Sequence, residues 1–448
     1  MGKSTSLSFI VDRIIAVGLF FLLAGVPLLI NPFAFDYWYK PKIHSAYALL
    51  IILVTAAAGK IILLQRPVPG RNNLLLIPLV GYAISGILST IFSISPQLSI
   101  HGDVLREEGI YTIVAYSALP VVFASLVESE KQLFALLRGL LISTALISLY
   151  AIIQYLGYNP TEHFIPALRG YENRPGSTIG NPNFLGKFLV LVMPLYVSWY
   201  CVSKNRREKI LILGGLLVSF SALIINFTRA SWLAFTCSFL MLAFFLRKKI
   251  VWSRQKELLA IGVALVCMLA IWQIQSSIKK QSVSGKPTPT VTSRIAKTFD
   301  LQKGGINGRM YLWGKALELI KERPFLGYGL DTHELAFRKF NLDYSRRFNV
   351  FGVIDRSHNN YLDMAIAQGL LGLSAYLWII ITFLIWLIKT FTAEQDMTRT
   401  IWYCGIIAAV AGYLLNDMFI FSVVSVSPTF WALLGLTIAM KRLTYTDH

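Results

Sequence analysis

Charge is scarce in this sequence. Of 448 residues only 15% are charged, where a soluble domain carries about a quarter, while 55% are hydrophobic and the mean hydropathy is +0.59. That balance excludes a soluble fold built around one large core. Acidic residues are scarcest, 23 against 42 Lys and Arg, for a net charge of +19. On a soluble chain this excess would suggest nucleic acid. Here Lys and Arg gather in short linkers between apolar runs, the pattern of segments kept in the cytoplasm, so no nucleic-acid partner is expected. The four cysteines, Cys201, Cys237, Cys267 and Cys404, lie in or beside apolar runs without metal-ligand spacing, which leaves no disulfide framework. His44, His101, His163, His333 and His448 are scattered, with no H-x-x-x-H or H-E-x-x-H pairing. No D-x-D pair occurs in the loops, so neither a metal site nor a cofactor is expected. A G-x-S-x-G nucleophile elbow is absent, as is any internal repeat. Met1-Gly2-Lys3-Ser4-Thr5-Ser6 fits a myristoylation pattern and resembles the end of a P-loop. The upstream glycine and the preceding strand of a P-loop are both missing.

What is present is a series of apolar runs, each roughly 20 residues long, the length that crosses a hydrocarbon core. About twelve are legible, at 14–30, 43–64, 74–93, 110–127, 132–156, 183–202, 209–227, 230–246, 256–275, 368–389, 400–421 and 426–440. In hydrocarbon a helix satisfies every backbone polar group internally. The expected fold is therefore an all-α polytopic membrane protein, in contact with membrane lipids. No A-x-A-like cleavage site follows the first run, which is kept as a span.

Linker charge gives an orientation. With the N-terminus inside, the inner linkers carry sixteen basic residues, among them Arg66, Arg71, Lys248, Lys249 and Arg399. The short outer linkers carry six: Lys40, Lys42, Arg106, Arg169, Arg174 and Arg229. Both termini are expected in the cytoplasm. Three parts follow: spans one to nine over 1–275, a long extracytoplasmic loop over 276–357, and spans ten to twelve over 358–448.

The loop carries fifteen basic and seven acidic residues, an excess of eight. Long loops are exempt from the positive-inside rule, so the excess suits an anionic ligand or anionic lipid headgroups. Gly304 to Gly308 reads as a turn. From Arg309, Tyr311, Leu312, Trp313, Ala316, Leu317, Leu319 and Ile320 recur at helical spacing until Pro324, which predicts an amphipathic helix.

Two sites stand out on chemistry. Arg229 falls between two apolar runs joined by almost no linker, with Thr228 placed to cap the following helix. An arginine at a helix N-terminus suits an anion, although such a residue can also snorkel to the surface. His358, in Asp355-Arg356-Ser357-His358-Asn359-Asn360, ends the long loop. A lone histidine is commonly structural, but its titration range suits a general base. Arg356, Arg309 and Arg229 are expected on the same side of the membrane.

Five short blocks, in order, resemble the O-antigen ligase and polymerase superfamily of membrane glycosyltransferases. They are Leu88-Ser89-Thr90-Ile91-Phe92-Ser93 with Arg106-Glu107-Glu108-Gly109; Ser177-Thr178-Ile179-Gly180-Asn181-Pro182-Asn183; Thr228-Arg229-Ala230-Ser231-Trp232; Gly308-Arg309 with Trp313 and Pro324-Phe325-Leu326-Gly327-Tyr328-Gly329; and Ser357-His358-Asn359-Asn360-Tyr361-Leu362 with Gln368-Gly369-Leu370-Leu371-Gly372. The resemblance runs from about Leu88 to Leu443. It implies a helical fold related to the GT-C glycosyltransferases. It also implies transfer of a glycan from undecaprenyl diphosphate to an acceptor hydroxyl on the outer face of the membrane, inverting and metal-independent. The essential residues it implies map onto Arg229, Arg309 and His358. On that resemblance, Arg229 and Arg309 are expected to clamp the diphosphate, whose oxygens suit arginine's planar fork, and His358 to act as general base. Arg356, Arg174, Arg106 and Asn359 are expected substrate-binding residues. The family often has Glu where this chain has Gln368, which weakens any carboxylate role there. Lipid A core, another lipid-linked glycan or a protein remain as acceptors, for a ligase, a polymerase or a protein O-oligosaccharyltransferase respectively. A lipid-linked glycan transporter, or a structural protein binding cell-wall intermediates, are the readings from other classes.

Overall fold

The structure is a computed structural model that describes residues 2–31, 33, 36–62, 74–158, 174–247, 252–282, 306–348 and 353–444. Met1, Arg66, Arg71, Arg169, Lys248, Lys249, Gly304 and Gly305, together with the rest of 283–305, lie outside the described residues.

The chain is an all-α polytopic membrane protein, with no strand among the described residues. The first helix, α1 (Gly2–Phe20), continues through a π turn at Phe21–Gly25 and a 3-10 turn at Val26–Leu28. Then come α2 (Tyr39–Ile62), α3 (Leu76–Ile91), the short α4 (Pro96–His101), α5 (Ile110–Leu126) and α6 (Glu130–Tyr155). The second group is α7 (Pro182–Val202), α8 (Arg206–Ile225), α9 (Arg229–Leu246) and α10 (Trp252–Ser282). The long connection carries α11 (Ile306–Glu322), α12 (His333–Phe337) and α13 (Asn341–Phe348). The chain closes with α14 (Asn360–Ala393), α15 (Met397–Asp417) and α16 (Ser427–Leu443).

All twelve expected runs fall on helices, and eight of the described helices are long and apolar enough to cross a membrane. α3, α5 and the apolar part of α10 (Ile261–Gln275) are shorter. α7 is the axis of the bundle. Almost every side chain along it is buried, and it packs on α8, α9 and α15. A helix apolar all round belongs in such a position. Asn181 caps its start by accepting from the Asn183 N–H at 2.8 Å, and Pro182 takes the first position, where a missing N–H costs nothing.

Two expectations about boundaries change. The loop expected from 276 begins later, because α10 runs to Ser282. The tenth span, expected from 368, starts at Asn360, because the Asn359 side chain accepts the Tyr361 and Leu362 N–H groups at 3.0 and 3.2 Å. α14 is then broken at Gly369, whose φ is +66°. The break frees backbone groups inside the bundle, and residues 324–329 supply their partners. Leu370 N–H donates to the Pro324 carbonyl at 2.7 Å, while Tyr328 and Gly329 N–H donate to Ile366 and Ala367 at 2.8 and 3.0 Å. Irregular backbone survives at membrane depth only when so satisfied. Gln368, beside the break, is buried and bonded to Ser85 at 3.0 Å and Tyr82 at 3.5 Å.

The amphipathic helix forms as α11, three residues earlier than the pattern suggests. Its Leu312, Ala316 and Leu319 are buried against Ala336, Phe337 and Ile354 in a small core of its own, which reaches α14 through Tyr328 and Ile366.

A left-handed non-glycine residue costs about 1–2 kcal/mol, and a Cβ at Gly369 would also overlap the Phe325 carbonyl. Gly369→Ala is expected to lower stability by about 2 kcal/mol or more. Gly314→Ala, where a Cβ meets nothing within 4 Å on α11, is expected to raise it by up to about 1 kcal/mol. Thermal unfolding of both purified variants in one detergent reads the difference.

Candidate functional site

Four helix starts converge at one end of the bundle. α7 begins beside Asn181 and Asn183, α9 begins with Arg229, α11 carries Arg309 in its first turn, and α14 begins just after His358. All four border one cleft of about 440 Å³, lined also by Arg106, Asp355 and the Phe419-Ile420-Phe421 turn between α15 and α16. Helix N-termini present unsatisfied N–H groups and positive partial charge, so such a cleft favours an anion.

Side-chain charge has the same sign. Three guanidiniums and one carboxylate line the cleft, a surplus of two positive charges. Arg106 forms an ion pair with Asp355. Burial, and then the charge of Arg229, hold the Arg309 pKa below the usual arginine value. Two phenyl rings each meet one of the cations. Arg309 lies over Phe419 at 5.9 Å and Arg106 over Phe421 at 5.0 Å, contacts that favour a cation without neutralising it.

His358 faces this surface with its ring 5.7 Å from that of Phe421. Its φ is +58°, a left-handed backbone that is uncommon for a non-glycine residue and is maintained only by surrounding structure. Burial lowers the His358 pKa below the ordinary histidine value. Asp355 raises it, and the charges of Arg309, Arg106 and Arg356 lower it further. The ring is therefore neutral near pH 7 and able to accept a proton. Asp355 itself is pushed up by burial, but Arg106 beside it outweighs this and holds the carboxyl below its ordinary range.

The support for His358 lies directly behind it. Arg356 is buried, not open to the cleft, and its guanidinium meets Asp331, Glu108 at 3.5 Å and the His333 ring. Asp331 also accepts from the Asp103 and Glu108 N–H groups at 2.6 and 3.1 Å. Asp363 accepts the Ser357 N–H at 2.8 Å. His333 is held well below the ordinary histidine value by burial and then by Arg356. As a neutral ring it donates from Nε2 to the Asp363 carbonyl at 2.8 Å and accepts from Arg356 at Nδ1. One guanidinium thus ties the α4–α5 connection and the start of α12 to the residues before His358, and His333 carries the link on to the start of α14.

The floor has a separate anchor. Lys187 of α7 and Asp417 of α15 form a fully buried ion pair, and Lys187 also donates to the Phe421 carbonyl at 3.2 Å. Asn360 joins floor to wall. Its amide donates to Asp417 at 3.1 Å and its carbonyl accepts the Ser422 N–H at 3.0 Å.

Of the residues singled out from sequence, Arg106, Arg229, Arg309 and His358 line the cleft. Arg356 lies in the wall behind. Arg174 sits behind Asn183, donating to its side chain at 3.1 Å and to the Asn226 carbonyl at 3.1 Å. The Asn359 side chain is engaged as the helix cap. Thr228 stands at the N-cap position of α9 without capping it. Its hydroxyl turns instead to the Pro182 carbonyl and Asn183, each at 3.3 Å. Phe419, Phe421, Asp355 and the Lys187–Asp417 pair received no role from sequence. A lysine near the start of one apolar run and an aspartate near the end of another were the only legible signs of that pair.

Arg356→Ala is expected to cost about 3–5 kcal/mol, because it strands buried carboxylates. Thermal unfolding, with hydrogen exchange over 353–363, checks both the loss and its location.

Residues 214–377 match the O-antigen ligase family, a stretch that contains Arg229, Arg309, Arg356 and His358 but not Arg106 or Arg174. A Haemophilus influenzae protein described only as uncharacterized is 30% identical over 106 residues, 24% of this chain and 26% of that protein. The chain therefore spans about a quarter of the length of that relative.

Proposed function

We propose that the chain, whose residues 214–377 match the O-antigen ligase family, is an inverting membrane glycosyltransferase. It moves a glycan from undecaprenyl diphosphate to an acceptor hydroxyl, on the lipid A core in the ligase reading, at the outer face of the cytoplasmic membrane. One observation carries the proposal: three arginines and a neutral histidine, drawn from four distant segments, line one cleft.

The chemistry follows from charge. The acceptor oxygen attacks the anomeric carbon opposite the diphosphate. As that bond forms, the carbon–oxygen bond to the diphosphate breaks and its electron pair leaves with the phosphate. Arg229 and Arg309 bind the diphosphate and meet the charge that grows on it, in a site already polarised by helix N-termini. Arginine's planar fork suits phosphate oxygens. His358 takes the proton from the acceptor hydroxyl and later releases it to solvent. In this mechanism the guanidiniums supply the charge stabilisation that a metal supplies in other transferases. Arg106 keeps Asp355 ionised beside the histidine, and Arg356 acts as a positioning residue through the wall.

Purified protein, a defined lipid-linked glycan and each acceptor class in turn, with EDTA present, test the reading. Formation of a glycosidic bond is expected, and moving the donor across vesicles without forming one would select the transporter. Arg229→Ala and Arg309→Ala are each expected to lose on the order of a hundred- to a thousandfold in turnover, and His358→Ala on the order of a hundredfold or more. Near-normal turnover in any of them removes that residue from the mechanism.

The pH dependence has a definite sign. Since the His358 pKa is lowered, the base is fully active at neutral pH and is lost as pH falls through a value below 6.5. Asp355→Asn removes the charge that raises this pKa, so the acid limb of the pH–rate profile is expected to move to lower pH. A shift to higher pH contradicts the assignment of the limb to His358.

A further inference from the structure

Below Arg229, α9 borders a second hollow that the cleft does not use. α10 packs along α8, and a fissure of about 290 Å³ opens between α9 and α10. Phe220 of α8 forms its floor. Phe235 and Phe239 make one wall, and Gly262, Val266 and Leu269 the other. The Phe235 and Phe239 ring centroids are 4.1 Å apart, and Phe220 meets Phe235 at 5.4 Å. Thr236 is the groove's one polar side chain, and its hydroxyl is already committed to the Trp232 carbonyl at 2.9 Å. The groove therefore has only hydrocarbon to offer and excludes a polar ligand by desolvation.

Its position on α9 matters most. Thr236 and Leu240 stand seven and eleven residues after Arg229. At about 100° and 1.5 Å per residue they share its helix face, roughly 10 and 16 Å farther along the axis. A lipid whose diphosphate sits at Arg229 has its first hydrocarbon units at the level of the upper groove. Charge complementarity distinguishes such a lipid from bulk phospholipid. The cleft at the head of α9 gathers three guanidiniums, a match for two linked phosphates.

The geometry points to the groove between α9 and α10 as the seat of the isoprenoid chain of the lipid diphosphate, an inference that rests on the donor proposed above. The flexible, methyl-branched chain lies against the Phe235–Phe239 wall, and its burial adds affinity in proportion to the apolar area covered. The cleft then reads the headgroup and the groove reads the chain.

Gly262 supplies the test. A Cβ there meets nothing within 4 Å, so Gly262→Leu occupies groove space without displacing protein. Gly214 of α8, equally open and outside the groove, is the matched control. Full-length protein in detergent is photolabelled with undecaprenyl diphosphate that carries a diazirine midway along its chain. Label is expected in residues 235–240 or 262–269 of the native protein and of Gly214→Leu. About tenfold less is expected in Gly262→Leu, the effect of excluding roughly two methylene groups. Unlabelled undecaprenyl diphosphate should compete, and phosphatidylglycerol should not. Labelling that Gly262→Leu leaves intact, or that phosphatidylglycerol displaces equally well, overturns the assignment. Labelling is read without transfer. A protein that labels in the groove and forms no glycosidic bond keeps the lipid site and loses the transferase reading. Transfer without groove labelling does the reverse.

Discussion

The buried pairing of Lys187 with Asp417 is the constraint on which the site depends. Two charges with no exposure inside a hydrocarbon-embedded bundle carry a desolvation cost of several kcal/mol each. They are retained only where geometry and further hydrogen bonds offset that cost. Here the further bonds are the site's framework: the Phe421 carbonyl on Lys187, and the Asn360 amide on Asp417. The pair thus joins the central α7 to α15 and fixes the turn that carries Phe419 and Phe421. Through Asn360 it also fixes the start of α14, directly after His358. Replacing both charges with apolar groups would preserve packing and lose the placement of that turn.

The arginines of the cleft obey a different logic. They repel one another, and Arg309 registers Arg229 as a neighbouring charge. Arg229 and Arg309 are seated in the first turns of their helices, and Arg309 and Arg106 lie over phenyl faces. The repulsion is offset by folding energy elsewhere, so an arriving anion finds its ligands already oriented. Electrostatic stabilisation of this kind requires no reorganisation when charge develops. The wall applies the same principle to His358. The left-handed backbone of His358 is uphill, and the buried Arg356–Asp331 pair two residues before it helps hold it there.

Much of this was legible in sequence, for physical reasons. Apolar runs of membrane-spanning length declare themselves by composition, and all twelve became helices. Arg229 stood out because a charge between two apolar runs has few places to go. His358 and Arg309 stood out through motif company. Legibility failed where a role depends on which distant segment a side chain meets. Arg356 reads like its neighbours in the basic loop, yet it is buried against Asp331 and Glu108. Thr228 has the composition of a helix cap and turns instead to Asn183, because Arg174 and Pro182 approach from another part of the chain. Phe419 and Phe421 look like ordinary apolar residues until their rings lie under guanidiniums. α14 starts eight residues before the apolar run it contains, since a local hydropathy window cannot see that Asn359 caps a polar first turn.

The break at Gly369 explains why Arg309 and Arg229 can face each other at all. Arg229 belongs to the main bundle, whereas Arg309 rides on α11, which packs around a small separate core. Two units joined only by that core would leave the distance between the arginines loosely set. The break opens α14 so that residues 324–329, which follow α11 directly, pair with its backbone through Pro324, Tyr328 and Gly329. Main-chain hydrogen bonds fix position in a way that side-chain packing alone does not. Ser89 and Ser93 of the α3 end bond to Ala367 and Tyr328 at 2.7 and 3.2 Å, and so hold the same junction from the other side. A continuous α14 would have all its carbonyls satisfied and nothing to offer this segment. The glycine that interrupts a membrane helix is therefore what registers the second arginine against the first.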